Sequence, residues 1–217
     1  MGAVIGDLLP LAVGVAVSPV PVIAAILMLM GVHARTTSLG FVAGWVLGVA
    51  VATTVFVFLG QAMDGAAGGR GWIKLVLGVA LFAFGVHQWK SRSGDAPAPK
   101  WMGAIDQMAP PAGTGIGFVL AAVNPKNLML CVAAGMTIGS AGLDGSGTTV
   151  AVIVFTVLAS STVAVPVIAY QIAADRLRTP LDSLKGWLQK NNQTVMAVLI
   201  LVIGAVLIGK GIGGVTA

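Results

Sequence analysis

The sequence predicts an all-α integral membrane protein. Six transmembrane helices are expected, arranged as two inverted three-helix repeats, with the first and fourth helices broken. Three observations carry this. Of 217 residues, 57% are hydrophobic and only 9% charged, and the mean hydropathy is +0.98. Soluble domains carry about 25% charged residues, so this chain cannot cover a water-facing surface and belongs in lipid. Six stretches are apolar over roughly the 20 residues that cross a bilayer, and two pairs of those stretches carry matching motifs.

The first stretch, residues 8–32, follows a start, Met1 to Asp7, that lacks the basic run of a cleavable signal, so it reads as a retained helix. It holds Ser18-Pro19-Val20-Pro21. A proline inside a helix withholds an N–H from the carbonyl four residues back, so Pro19 and Pro21 are expected to free the carbonyls of Val15 and Val17. The second stretch, 39–63, carries Gly40, Gly44 and Gly48. This small-residue stripe serves either close packing inside the bundle or a homodimer. The third is 72–89. The fourth, 115–138, contains Asn124-Pro125-Lys126-Asn127, where Pro125 frees the carbonyl of Ala121. The fifth, 149–174, contains Pro166, which reads as a packing kink, and the sixth, 195–208, is the shortest. Unsatisfied backbone in lipid costs several kcal/mol, so such breaks survive only against protein or a hydrated cavity. Ser18, Asn124 and Asn127 are the expected replacement partners.

The connections set the orientation. Arg35, Lys90, Arg92, Lys100, Arg176, Arg178, Lys185 and Lys190 fall in alternate connections, against Arg70, Lys74 and Lys210 on the other side. The positive-inside bias puts the larger set in the cytoplasm, with both termini outside a plasma membrane. Residues 1–90 form the first repeat and 114–217 the second, joined by a connection at 91–113. In that connection Trp101, Ile105 and Met108 recur at the spacing of a short interfacial helix. Within 175–191, Thr179-Pro180 offers a helix start. Leu181, Leu184, Trp187 and Leu188 then form one apolar face, as in a helix lying in the membrane interface.

The repeat rests on "LVLGVALFAFG" (residues 75–85) against "LVIGAVLIGKG" (201–211), and on Ser18-Pro19 against Asn124-Pro125. Three helices per repeat is an odd number, so the halves must have opposite orientation. Transporters of this plan place their substrate sites where paired helices break near the midplane.

Lys126 is the one charge well inside an apolar stretch. A lysine at the helix centre costs roughly 2.5–3.5 kcal/mol on insertion scales, and an intramembrane charge reads as functional by default. It could bind an anionic group, exchange a proton, or brace the freed carbonyls. The chain has no glutamate, and no aspartate falls mid-span. Hydroxyls and amides remain: Ser18, Thr53, Thr54, Ser160, Ser161 and Thr162. That set argues against divalent-cation cargo, so no metal is expected, nor any other cofactor. His33 and His87 fall at helix ends. The single Cys131 excludes an intrachain disulfide. No hydrolase or metalloprotease motif is present, so no enzyme is expected. Scattered basic residues give no nucleic-acid footprint.

Taken in order, "SPVPVIAAILMLM" (18–30), "GFVAGWVLGVAV" (40–51), "AAVNPKNLMLCVAAG" (121–135), "VFTVLASSTVAVPV" (154–167) and the two glycine-leucine motifs resemble the LysE superfamily of exporters. They are most similar to its GAP branch, the glycolipid- and sulfolipid-addressing proteins of mycobacteria and related actinobacteria. "PKWMGAID" (99–106) and "LKGWLQKNN" (184–192) also resemble that branch. The resemblance covers essentially the whole chain. It implies a plasma-membrane protein taking part in export of a cell-envelope lipid or glycolipid. Carried onto this sequence, the paired motifs are Ser18, Pro19 and Pro21 with Asn124, Pro125, Lys126 and Asn127, forming a polar midplane site. Lys126 would engage an anionic or hydroxyl-rich headgroup. A small-solute exporter, with Lys126 on a carboxylate, is the alternative. Another is an accessory subunit that docks onto a larger lipid-export machine without translocating anything.

Overall fold

A computed structural model describes residues 1–62, 69–91 and 109–215. Trp101, Ile105 and Met108, expected as an interfacial helix, lie outside the described residues. The elements are α1 (Gly2–Ala16), α2 (Pro19–Met30), α3 (Ala34–Ala62), α4 (Gly69–Lys90), α5 (Pro110–Ala122), α6 (Pro125–Gly139), α7 (Gly145–Ala174) and α8 (Arg176–Val215). Among the described residues there is no strand. Three helices, α3, α7 and α8, are each long and apolar enough to cross a membrane. The pairs α1–α2 and α5–α6, bent by 51° and 63°, bring the number of candidate spans to as many as five. The 22 residues of α4 reach about 33 Å, close to the roughly 30 Å of a hydrocarbon core.

The breaks expected in the first and fourth stretches are present at Pro19 and Pro125. Pro19 and Pro125 are the first residues of new helices, where the missing N–H was an orphan in any case. The Val15 carbonyl, expected to be free, accepts the N–H of Ser18 at 3.1 Å. Pro166, by contrast, stays inside α7.

The two bent pairs are exchanged between the halves of the chain. The α5–α6 pair runs parallel to α3: Gly113 lies against Thr37, Gly117 against Phe41, Gly135 against Thr53 and Gly139 against Val57. Both members advance along α3 in the same sense, so the pair continues from one end of α3 to the other instead of doubling back. In the same way α1–α2 follows α7. Met1 lies by Gly147, the Thr162 hydroxyl donates to the Ala16 carbonyl, and Gly31 shares a cavity with Tyr170 and Ala174.

Small residues make these approaches close. A Cβ on Gly48 would stand 2.7 Å from Ala121 Cβ and 2.9 Å from the Phe118 carbonyl oxygen, and Gly40 and Gly44 meet Thr114. The glycine stripe is therefore taken up within the chain, and a homodimer would need another surface.

The two glycine-leucine motifs face each other across an antiparallel α4–α8 contact. Gly78 meets Ile208 and Gly85 meets Leu201; reciprocally, Gly204 meets Phe82 and Gly211 meets Leu75. Each motif makes the contacts of the other with roles exchanged.

At one end of the bundle Asp7 of α1 pairs with Lys74 of α4 at 3.2 Å and Lys210 of α8 at 2.7 Å. The chain's first and last helices thus have their outer ends together. Arg35, Arg178 and Lys185 lie at the opposite end, around the close of α2, where Lys185 Nζ reaches Met30 Sδ at 3.5 Å.

Residues 175–191 are not a separate interfacial helix. They form the beginning of α8, a continuous helix of 40 residues and about 60 Å. The chain breaks instead at Ala173 (φ −137°, ψ 49°). Pro180 lies just past the first turn of α8, where it interrupts a single backbone bond, so the helix continues. The expected apolar face is also narrower. Leu181 and Leu188 are buried, whereas Leu184 and Trp187 are 39% and 55% exposed.

Candidate functional site

Both breaks lie near the middle of their bent helix pairs. From Asp7 to Ser18 along α1 is about 16 Å at helical rise, half of a roughly 30 Å hydrocarbon core. Ser18 is the N-cap residue of α2, but its side chain makes no capping bond. It is 1% exposed and its Oγ has no hydrogen-bond partner among the described residues. Pro19 and Pro21 are buried in the first turn of α2.

The second break is better capped. Asn124 Oδ1 accepts the backbone N–H of Lys126 at 3.1 Å, and Pro125 follows as the exposed first residue of α6. Asn127 is fully buried, and its Nδ2 donates to the Leu120 carbonyl at 3.1 Å, back across the break. Its Oδ1 has no partner among the described residues. Lys126 is 1% exposed, and its Nζ makes no hydrogen bond among the described residues.

At the breaks the Thr162 hydroxyl donates to the Ala16 carbonyl and Asn127 Nδ2 to the Leu120 carbonyl, while Lys126 Nζ bonds to no carbonyl among the described residues.

The two breaks meet at one level. Gly14 of α1 lies against Leu130 of α6, and these helices run in opposite directions. One turn onward from Gly14 is Ser18, and one turn back from Leu130 is Lys126. The N-termini of α2 and α6 both end at this level, each with the positive end of its dipole, although Pro19, Pro21 and Pro125 carry no N–H and the Lys126 N–H is capped by Asn124. With Lys126 they make an electropositive locus. The described side-chain carboxylates, Asp7, Asp144 and Asp182, all sit at helix ends. On α7, Thr156 and Ser160 are buried with no hydroxyl partner among the described residues. Ser160 is foreseeable as an intramembrane hydroxyl. Thr156 is missed, although one turn separates the two on the face that also buries Phe155, Ala159 and Val163.

Beside the first break is a groove of about 440 Å³ between the α1–α2 junction, α7 and the start of α8. Its walls are apolar, including Val17, Val165, Leu184 and Leu188, with Ser18, Ser161 and Thr162 as polar members. Val17 and Val165 are 38% and 62% exposed, so the groove opens on the outer surface of the bundle. The volume falls within the about 300–1,000 Å³ of small-molecule sites. Of the residues expected at the site, Ser18 and Pro19 line this groove; Pro21, Asn124, Pro125, Lys126 and Asn127 do not.

The family described as Sap, sulfolipid-1-addressing protein, matches residues 8–213, which include both breaks and the facing glycine motifs. No curated protein and no solved structure matches the chain. With nearly its whole length matched, the chain belongs to the sulfolipid-1-addressing protein family, and its apolar helices and that membership give it a lipid-related role in a membrane.

Proposed function

We propose that the protein takes part in exporting an anionic cell-envelope lipid or glycolipid across the plasma membrane. It does so as a transporter with six crossings, α4 included, built from two inverted repeats. Both termini lie outside, by the lysine and arginine distribution. The exchanged bent pairs and the reciprocal α4–α8 contact support the repeat plan. The likeness of the motifs to exporters of the LysE superfamily supports transport over catalysis. A family described by a sulfolipid supports a headgroup with a negative charge.

The observation that carries this reading is Lys126, whose buried amino group has no hydrogen-bond partner among the described residues, at the level of both helix breaks. An unpaired charge in a protein interior is costly. A sulfate or carboxylate headgroup would supply the missing acceptor, and helix N-termini favour the same anion. The apolar groove beside Ser18 would take an acyl chain while the headgroup passes the breaks. Because that groove opens laterally, it favours a lipid over a small solute.

The test is lipid analysis of the outer envelope in a deletion strain, complemented with wild-type protein or with Lys126→Met. A charge-assisted hydrogen bond is worth about 1.5–3 kcal/mol. Export of the affected lipid should therefore fall by about tenfold or more in the variant, at unchanged protein level. An unchanged lipid profile on deletion removes the export reading. Full rescue by Lys126→Met removes the role given to the lysine. Lipid movement by purified protein in liposomes separates a transporter from an accessory subunit.

A further inference from the structure

A second cavity, about 420 Å³, lies at the end of the bundle opposite Asp7. It lies open to the surface between the turn from α2 into α3 and the junction of α7 with α8. Its chemistry is unlike that of the groove: the exposed His33, Arg35 and Arg178 are among its lining residues, with Thr36 and the buried Tyr170. Neither guanidinium has an ion-pair or hydrogen-bond partner among the described residues. The nearest carboxylate described on α8, Asp182, is held by Lys185 at 2.6 Å.

The backbone adds donors. Thr37 N–H is bonded to the His33 carbonyl at 3.0 Å, so the N–H groups just before it head a helix of 29 residues without intrahelical acceptors. Gln171 Nε2 donates to the Arg35 carbonyl at 3.3 Å and ties this corner to α7. The depth is also distinctive. From Ser18 to Gly31 along α2 is about 20 Å. With Ser18 at mid-depth, the cavity falls in the headgroup layer, beyond the roughly 15 Å half-thickness of the hydrocarbon.

We propose that this cavity is a second anion site, which takes the phosphate or sulfate ester of a lipid headgroup at the membrane surface. A single guanidinium can recognise such a group with two parallel N–H···O bonds, and basic pockets between membrane helices hold anionic headgroups. A bound lipid would lie against α2 and α7, the same two helices that wall the apolar groove nearer mid-depth. The site is separate from Lys126 and does not depend on the transport reading.

The test uses the full-length protein in phosphatidylcholine nanodiscs. Thermal unfolding and native mass spectrometry are read with phosphatidylglycerol added, with inorganic phosphate added, and with neither. Phosphatidylglycerol should raise the melting temperature and stay bound. Arg35→Gln with Arg178→Gln should weaken its binding by about tenfold or more. Arg178→Gln alone, on an exposed first turn, should give an intermediate loss and covers failure of the double variant to fold. Lys90→Gln with Lys190→Gln should leave binding within about twofold, since it removes two charges placed away from the cavity. Equal protection by inorganic phosphate would assign the site to a free anion instead of a lipid. Unchanged binding in the arginine variants, or an equal loss in the lysine pair, overturns the proposal.

Discussion

Gly204 and Gly209 lie on the same helix five residues apart and meet different surroundings. A Cβ on Gly204 would stand 2.7 Å from the backbone nitrogen of Phe82 and 2.9 Å from its Cα, whereas a Cβ on Gly209 meets nothing within 4 Å. Replacing either by alanine gains about 1 kcal/mol of helix propensity. At Gly204 the new methyl presses on backbone of α4, which cannot rotate away as a side chain could. Overpacking of that kind costs typically about 1–3 kcal/mol. In lipid, helix association depends on close van der Waals packing, so separating α4 from α8 removes what holds them together. Gly209→Ala should therefore stabilise by about 1 kcal/mol. Gly204→Ala should fall below it by roughly the overpacking cost. The assay is unfolding of the two variants, side by side in one detergent–lipid mixture, with Gly78→Ala as the reciprocal substitution. Gly78 faces the Ile208 nitrogen at 2.6 Å and should behave like Gly204. If Gly204→Ala is as stable as Gly209→Ala, the α4–α8 contact described above is wrong.

Other substitutions probe the breaks and the ends. Thr162→Val keeps the shape but orphans the Ala16 carbonyl, a loss of about 1–3 kcal/mol readable in the same unfolding assay; no change would show that the carbonyl has another donor. Asp7→Asn parts Lys74 and Lys210. All three side chains are partly exposed, so the loss should be no more than about 1 kcal/mol per pair, and it should shrink in high salt. Asp144 accepts the Ser146 hydroxyl at 2.6 Å and the Gly147 N–H at 2.8 Å, and these hold its carboxyl below the ordinary 3.8. A lowered value means that the fold favours the charged form. The stabilisation is therefore complete above 3.8 and is lost as pH falls through the folded value. Asp144→Asn still caps α7 but should flatten that part of the acid melting curve.

Much of this architecture can be read from local features. Apolar runs bounded by basic residues locate the helices. Pro19 and Pro125 locate the breaks to the residue, because only the first turn of a helix accepts a proline without loss. The glycine-leucine motifs name both sides of one interface, since a glycine conserved in spacing across two helices marks where backbones approach. The rest depends on contacts between distant residues. Nothing near Ala16 in sequence indicates that Thr162 will take its carbonyl. Ala173 gives no sign of a break, whereas Thr179-Pro180 looks like a helix start and lies inside α8. His33 reads alone as an interfacial residue, and only folding brings it beside Arg35 and Arg178. Lys126 stands out in the sequence, but that it braces no carbonyl is visible only once its neighbours are placed.

The exchange of bent pairs bears on how the chain is made. When α3 leaves the ribosome its glycine face, Gly40 through Gly60, has no partner, because α5 and α6 are still to be synthesised. At about 5–20 residues per second, the wait until Gly139 is roughly 4–15 s. For that interval the first half sits in the membrane with its tightest docking surface turned to lipid. A second unfinished chain could occupy it. The closest helix contacts of the first half therefore form only after the second half has been made.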